Sequence, residues 1–160
     1  MKISYKQTLI FSALASSILL GGAFWFEIVA GLSPCKLCIL QRWPHALLIV
    51  IAFIGIFYVK KNWILLLIVL SAIASGLIGF YHSGVEQGWW AGPSGCGIQF
   101  NSENNIHNLT TLLLKTPVVK CDEIAWSFMG ISMAGWNSIA SFCITIFAFL
   151  SWKKLTDTQQ

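Results

Sequence analysis

Charge is what this 160-residue sequence lacks. Asp, Glu, Lys and Arg together make up 10% of it, against about 25% in an ordinary soluble domain. Ten basic and six acidic residues leave a formal net charge of only +4. The basic residues form no long run, which argues against a nucleic-acid binder. Disorder is excluded because 56% of the residues are hydrophobic and the mean hydropathy is +0.72. Internal repeats and low-complexity tracts are missing too, and the 13 glycines follow no period, which excludes a collagen-like fibre. So deep a deficit of charge requires a solvent that does not reward charge, and that solvent is lipid.

Four apolar stretches are long enough to cross about 30 Å of hydrocarbon. They lie at approximately 8–31, 34–59, 63–81 and 129–152. The expected fold is an all-α membrane protein, an antiparallel four-transmembrane-helix bundle with residues 1–160 as a single membrane domain. Lys2 and Lys6 before the first run look like the start of a secretory signal peptide. The run continues through Phe24, Trp25 and Phe26, past the usual length of a signal core and without a small-residue cleavage site, so the span is expected to be retained. Gly21, Gly22, Gly76 and Gly79 are candidates for close helix approach.

Lysine and arginine near span ends stay in the cytoplasm. Lys2, Lys6, Lys60, Lys61, Lys153 and Lys154 all fall on one face, and they are six of the ten basic residues. Both termini are therefore expected to be cytoplasmic. The opposite face receives a short link around Leu32 and Ser33 and a long loop over approximately 82–128. Loops of that length are usually functional or disordered. Gly92, Pro93, Gly95 and Gly97 mark a flexible stretch. Ile106, Leu109, Leu112 and Leu113 recur at helical spacing and predict a short interfacial helix, with an ordinary loop as the alternative. Trp89, Trp90 and Trp126 fit an aromatic interfacial belt.

None of the five cysteines falls in a cytoplasmic segment. Cys35 and Cys38 form a C-x-x-C at the start of span two, where Ser33 is a possible N-cap and Pro34 suits the first helical position. A helix N-terminus favours thiolate over thiol, and the C-x-x-C spacing lowers the pKa of one sulfur further. Arg42 follows Cys38 by four residues and Cys35 by seven, which puts all three on one helical face. Counting back about 20 residues from the lysines at 60 and 61 puts Arg42 just inside the outer hydrocarbon boundary. A charge at that depth marks a functional site or snorkels to the surface, and the two sulfurs beside it favour function. A ligand meeting it there would come from the lipid.

Cys96 and Cys121 lie in the outer loop. A structural disulfide closing that loop would contribute roughly 3.5 kcal/mol. Against that reading, Cys96 sits in Gly-Pro-Ser-Gly-Cys-Gly, a mobile setting open to an incoming thiolate. Both readings stand on sequence alone. His82, after Tyr81 at the outer end of span three, is at a depth comparable to Arg42 and reads as an interfacial histidine, a metal ligand or a neighbour of a lipid-borne ligand. The cysteines with His82 and His107 offer zinc donors, but only one short-spaced motif is present, so no metal is expected. Cys143, among Phe142, Ile144 and Ile146, reads as a packing residue, and Glu27 either pairs with a cation or snorkels outward, the second being the preferred reading.

In this order the motifs resemble the DsbB family, the quinone-coupled thiol oxidases of bacterial inner membranes. The resemblance covers most of the chain. It rests on Pro34-Cys35-Lys36-Leu37-Cys38 followed by Gln41-Arg42, on Tyr81-His82 before a loop with a second cysteine pair, and on Cys121-Asp122-Glu123 leading through Trp126 and Gly130 into span four. It implies a multi-pass inner-membrane enzyme with its redox cysteines on the periplasmic side. Such an enzyme reoxidises a periplasmic DsbA-like thioredoxin-fold protein and passes the electrons to membrane quinone, ubiquinone or menaquinone. Carried over residue by residue, Cys96 is the sulfur the client attacks, Cys121 is its disulfide partner, and Cys35 and Cys38 form the second pair, with Cys38 facing the quinone. Arg42 orients the quinone and His82 lies near it. Gln41 stands where some members have an acidic residue, which bears on thiolate pKa more than on reaction class. Vitamin K epoxide reductase-like enzymes share the four spans and both cysteine pairs, but their C-x-x-C follows the loop cysteines instead of preceding them. A membrane metal-binding or transport protein using the same thiols is the rival from another class.

Overall fold

A computed structural model describes residues 4–58, 62–93 and 120–157. Helix α1 spans Tyr5–Ile28, α2 Lys36–Phe57, α3 Asn62–Glu86 and α4 Met133–Asp157, with a two-stranded hairpin of β1 (Ser127–Phe128) and β2 (Ile131–Ser132) ahead of α4. All four helices are long and apolar enough to cross a membrane. The protein is a four-helix, multi-pass membrane protein. Cys96, Glu103, His107 and the interfacial helix expected at 106–113 lie outside the described residues.

Pairwise contacts show that consecutive helices run antiparallel. Arg42 meets Glu27 while Gly55 meets Leu9 and Tyr5. Cys35 meets His82 while Gly55 meets Ile64. Gly79 meets Ala134 while Ser75 meets Ser141. One end of the bundle therefore carries the start of α1 and the end of α4, and the other carries Cys35, His82 and the start of α4.

The distribution of side chains is the reverse of a water-soluble bundle. Phe11, Leu14, Ile18, Leu47, Val50, Leu70, Leu77 and Leu150 point outward, while Ser12, Ser16, Ser75, Ser138, Ser141 and Ser151 are buried. Serines let helix backbones approach closely, and those here bond to one another (Ser141 to Ser75), to backbone carbonyls (Ser138 to Gly76, Ser151 to Phe147) or to His45 (Ser16), while leucines face lipid at no penalty. Within this arrangement a compact apolar core of Leu9, Leu48, Ala52, Ile64, Leu65, Ile68, Val69, Ala72, Ile144 and Ala148 occupies the half nearer the chain ends.

Local chemistry sets the helix ends. Ser4 and Gln7 form a reciprocal capping box at α1. At α2 the cap is Cys35 itself, whose sulfur accepts from the Cys38 N–H. This differs from the Ser33 cap expected from sequence, because Pro34 precedes the helix. Helix α3 continues five residues beyond the expected boundary at 81, since Tyr81, His82 and Glu86 are paired or packed and the charge of Glu86 ends the apolar run without ending the helix. It stops in a Schellman motif, with Gly88 at φ +70° and the amides of Trp89 and Gly88 bonded to the carbonyls of Gly84 and Val85. Trp90 then folds back, stacks on Tyr81 at 5.9 Å and donates to its carbonyl. Its ring occupies the space over Gly84 and leaves no room there for a Cβ. Helix α4 starts at Met133 and not at 129, because Met129 and Gly130 both take positive φ and close the hairpin turn. Ser132 accepts from the Gly135 N–H and opens the helix.

Candidate redox site

Cys35 and Cys38 are free thiols with sulfurs 2.9 Å apart. The cap geometry fixes their roles. The two sulfurs share one side-chain hydrogen bond, and the Cys35 sulfur also accepts the Cys38 backbone N–H at 3.2 Å and faces His82 Nε2 at 3.5 Å. These donors lower the Cys35 thiol from its ordinary value near 9 to about 4. The Cys38 side-chain hydrogen bond is the largest cause, partly opposed by burial and reinforced by the His82 hydrogen bond and the Cys38 backbone N–H. Thiolate character therefore rests on Cys35.

His82 is 2% exposed and sits between elements. Gln41 lies 2.7 Å from its Nδ1, and Glu86, one turn further along α3 and 6% exposed at its side chain, is 3.8 Å from its Nε2. One Glu86 oxygen is buried without a hydrogen-bond partner. Arg42 is ion-paired to Glu27 of α1 and lies 4.8 Å over the Phe24 ring. Its Nε is also buried without a partner. Glu27 thus does not snorkel outward as its position suggested, because an antiparallel neighbour puts a guanidinium at its depth.

Cys121 is disulfide-bonded and fully buried. It belongs to one small packed cluster with Cys35, Leu37 and Val85, against which Cys38 also packs. Cys96 lies outside the described residues. Cys143 is free and exposed on the lipid side of α4, so it is not a packing residue of the bundle interior.

A cavity of about 480 Å³ runs beneath the cysteines. Cys35, Cys38, Arg42, His82 and Glu86 line it together with Leu19, Gly22, Ala23 and Phe26 of α1 and Trp126, Phe128 and Trp136 from the hairpin and α4. Gly21 and Gly22 have no neighbour within 4 Å of a would-be Cβ. They are not close-approach points, unlike Gly76, which meets Phe142, and Gly79. An apolar cavity with a few convergent polar groups is the usual form of a small-molecule site.

The structure thus brings Cys35, Cys38, Arg42 and His82 to one cavity, with Cys121 beside it. Sequence reasoning missed Glu86, His45 and Asn137 and did not pair Glu27 with Arg42. Glu86 was legible as i+4 from His82 once α3 is extended. His45 and Asn137 carry no motif.

The family model described as disulfide bond formation protein DsbB matches residues 5–151. An uncharacterized protein of Rickettsia prowazekii is 28% identical over 149 residues, covering 91% of this chain and 87% of its own. Disulfide bond formation protein B of Nitrosococcus oceani is 28% identical over 151 residues, 88% of this chain and 86% of that protein. The protein of the same name from Xylella fastidiosa is 32% identical over 127 residues, 74% and 73% of the two chains.

Proposed function

The chain belongs to the disulfide bond formation protein DsbB family, and on that premise we propose that it reoxidises a periplasmic DsbA-like thioredoxin-fold protein and delivers the electrons to membrane quinone. Membership makes it a disulfide-forming oxidoreductase of the membrane. The client, the acceptor, the inner-membrane location and the periplasmic placement of the cysteines are the finer reading. The observation that carries it is the packing of Cys121, already oxidised in a disulfide, in one cluster with Cys35 and Cys38. Two cysteine pairs side by side are what a relay between a protein client and a lipid-soluble acceptor requires.

In this reading a client thiolate attacks Cys96, its partner Cys121 leaves as thiolate, and a mixed disulfide forms. The second client thiol releases oxidised client and leaves Cys96 and Cys121 as a dithiol. That dithiol reduces a Cys35–Cys38 disulfide by the same exchange, so each step moves two electrons and conserves sulfur–sulfur bonds. The reduced Cys35–Cys38 pair then gives up two electrons and two protons and returns to the disulfide.

The residues lining the cavity fit a quinone headgroup. Arg42 offers a buried, unpartnered Nε donor for a carbonyl oxygen, His82 offers a second polar contact, and Phe26, Trp126 and Trp136 supply apolar walls. A quinone there, ubiquinone or menaquinone, serves as the two-electron, two-proton sink. Arg42 positions the headgroup, while Glu27 holds the guanidinium at that depth.

The test is quinone reduction by purified protein in detergent, driven by a reduced DsbA-like client with client thiols counted in parallel. Two thiols lost per quinol formed establishes the relay. Inactivity of folded, oxidised protein with a validated client and several quinones overturns it and turns attention to metal analysis, since the Cys35, Cys38 and His82 donor atoms lie within 4.8 Å of one another.

A further inference from the structure

Below the cysteine pair, a line of hydrogen bonds crosses all four helices, and each bond in it has a definite direction. The Leu37 carbonyl sets that direction. Gln41 Nε2 lies 3.3 Å from this oxygen, which only accepts, so the Gln41 amide turns its NH₂ toward both Leu37 and His82 Nδ1. Nδ1 of His82 is therefore an acceptor, and in the neutral ring the proton sits on Nε2, the nitrogen that faces the Cys35 sulfur.

The line continues away from the sulfur. Asn137 Nδ2 donates to Gln41 Oε1 at 2.7 Å, which turns Asn137 Oδ1 toward His45 Nε2 at 2.9 Å. Because Oδ1 only accepts, His45 carries its proton on Nε2, and its Nδ1 accepts from the Ser16 hydroxyl at 3.2 Å. Ser75 Oγ, 2.9 Å from His45 Nε2 and 3.3 Å from Asn137 Nδ2, braces the crossing. From Ser16 to Cys35, every donor points toward the sulfur.

We propose that Asn137 and His45 are positioning residues that set the polarity of this line, so that Gln41 holds His82 as the Nε2–H tautomer donating to the Cys35 thiolate. No proton is transferred along the line. Its effect is to present an N–H, and not a lone pair, to negative charge on Cys35, and hydrogen bonds to charged groups are the strong ones. The inference rests on Cys35 belonging to the working pair and adds the residues that tune it from the membrane interior.

Replacing Asn137 by Asp puts an acceptor where Gln41 Oε1 needs a donor. The Gln41 amide then turns over, its oxygen faces His82 Nδ1, and the proton moves to Nδ1. The experiment uses full-length reduced protein in detergent with ¹⁵N-labelled histidine, the His82 signals being identified by their loss in His82→Gln. Wild-type protein is expected to show an unprotonated Nδ1 and a protonated Nε2. Asn137→Asp is expected to exchange them and to raise the pH midpoint of iodoacetamide alkylation of Cys35 by about one unit. His45→Leu, which frees Asn137 Oδ1, should move both readouts the same way, the midpoint by about half a unit. A wild-type His82 protonated on Nδ1 alone overturns the proposal. So does either folded variant leaving tautomer and midpoint unmoved. Neither readout uses quinone or client, so failure here leaves the relay standing, and failure of quinone reduction leaves this assignment standing.

Discussion

At the end that carries the start of α1 and the end of α4, the helices meet through Leu9, Leu48, Ile64, Leu65, Ile68 and Ala148, side chains with no polar atom. At the Cys35 end, beside the small cluster of Leu37, Val85 and the cysteines, they meet through His82, Gln41, Asn137, His45, Ser75 and the Arg42–Glu27 pair, joined by hydrogen bonds and an ion pair. The difference has a physical meaning. Apolar packing holds helices together at any rotation that fills space, whereas a buried polar group is tolerated only when its partner is at the right distance and angle. One half of the bundle supplies cohesion, and the other fixes the orientation of groups around two sulfurs. Among the described residues, the two orphaned polar atoms there, Arg42 Nε and a Glu86 oxygen, both belong to residues lining the cavity.

The division can be broken most decisively at the sulfurs. Cys38→Ser is expected to abolish quinone reduction while leaving the helix content of the purified protein intact by circular dichroism. Undiminished turnover would remove Cys38 from the chemistry. In the apolar half, Leu65→Ala should lower unfolding stability by about 2–5 kcal/mol, read by thermal unfolding in detergent, with the quinone KM unchanged at temperatures where the protein is folded. A changed KM would mean that the halves are not separate. In the polar half, Arg42→Gln is expected to raise the quinone KM by about ten- to a hundredfold, the equivalent of about 1.5–3 kcal/mol for a charged hydrogen bond, with client thiol exchange at the loop pair unaffected.

The gentlest test varies pH. Because the reduced Cys35 thiol is lowered from near 9 to about 4, its alkylation rate should stay nearly flat from pH 9 to about 5 and drop only as pH approaches 4. An ordinary thiol would lose reactivity below about 8.5. The stabilisation of the reduced protein by this thiolate is full above the unfolded value near 9. It shrinks below that as the unfolded thiol protonates and is lost once pH has fallen through about 4. A titration midpoint near 8.5 would show that the cap and His82 donate nothing to the sulfur.

Cys35, Cys38 and Arg42 were legible because they are local. Their spacings of three, four and seven residues place them on one helix whatever surrounds it. His82 was visible from its own position as a histidine at a span end, and its place near a quinone came from the family resemblance, but its burial depends on α3 running on to Glu86. Glu27 was misjudged because pairing it with Arg42 needs the register between α1 and α2. Asn137 and His45 stand 92 residues apart in sequence and meet through one hydrogen bond.

The sequence by itself determined the solvent, the four spans and the helix that carries the C-x-x-C, since each follows from composition or from repeats shorter than two helical turns. Only the tertiary structure decided which sulfur carries the charge, how His82 is held and which ion pair lies in the membrane. Those outcomes depend on distances of about 3 Å between side chains of different helices, and hydropathy fixes neither the rotation nor the register that sets such distances.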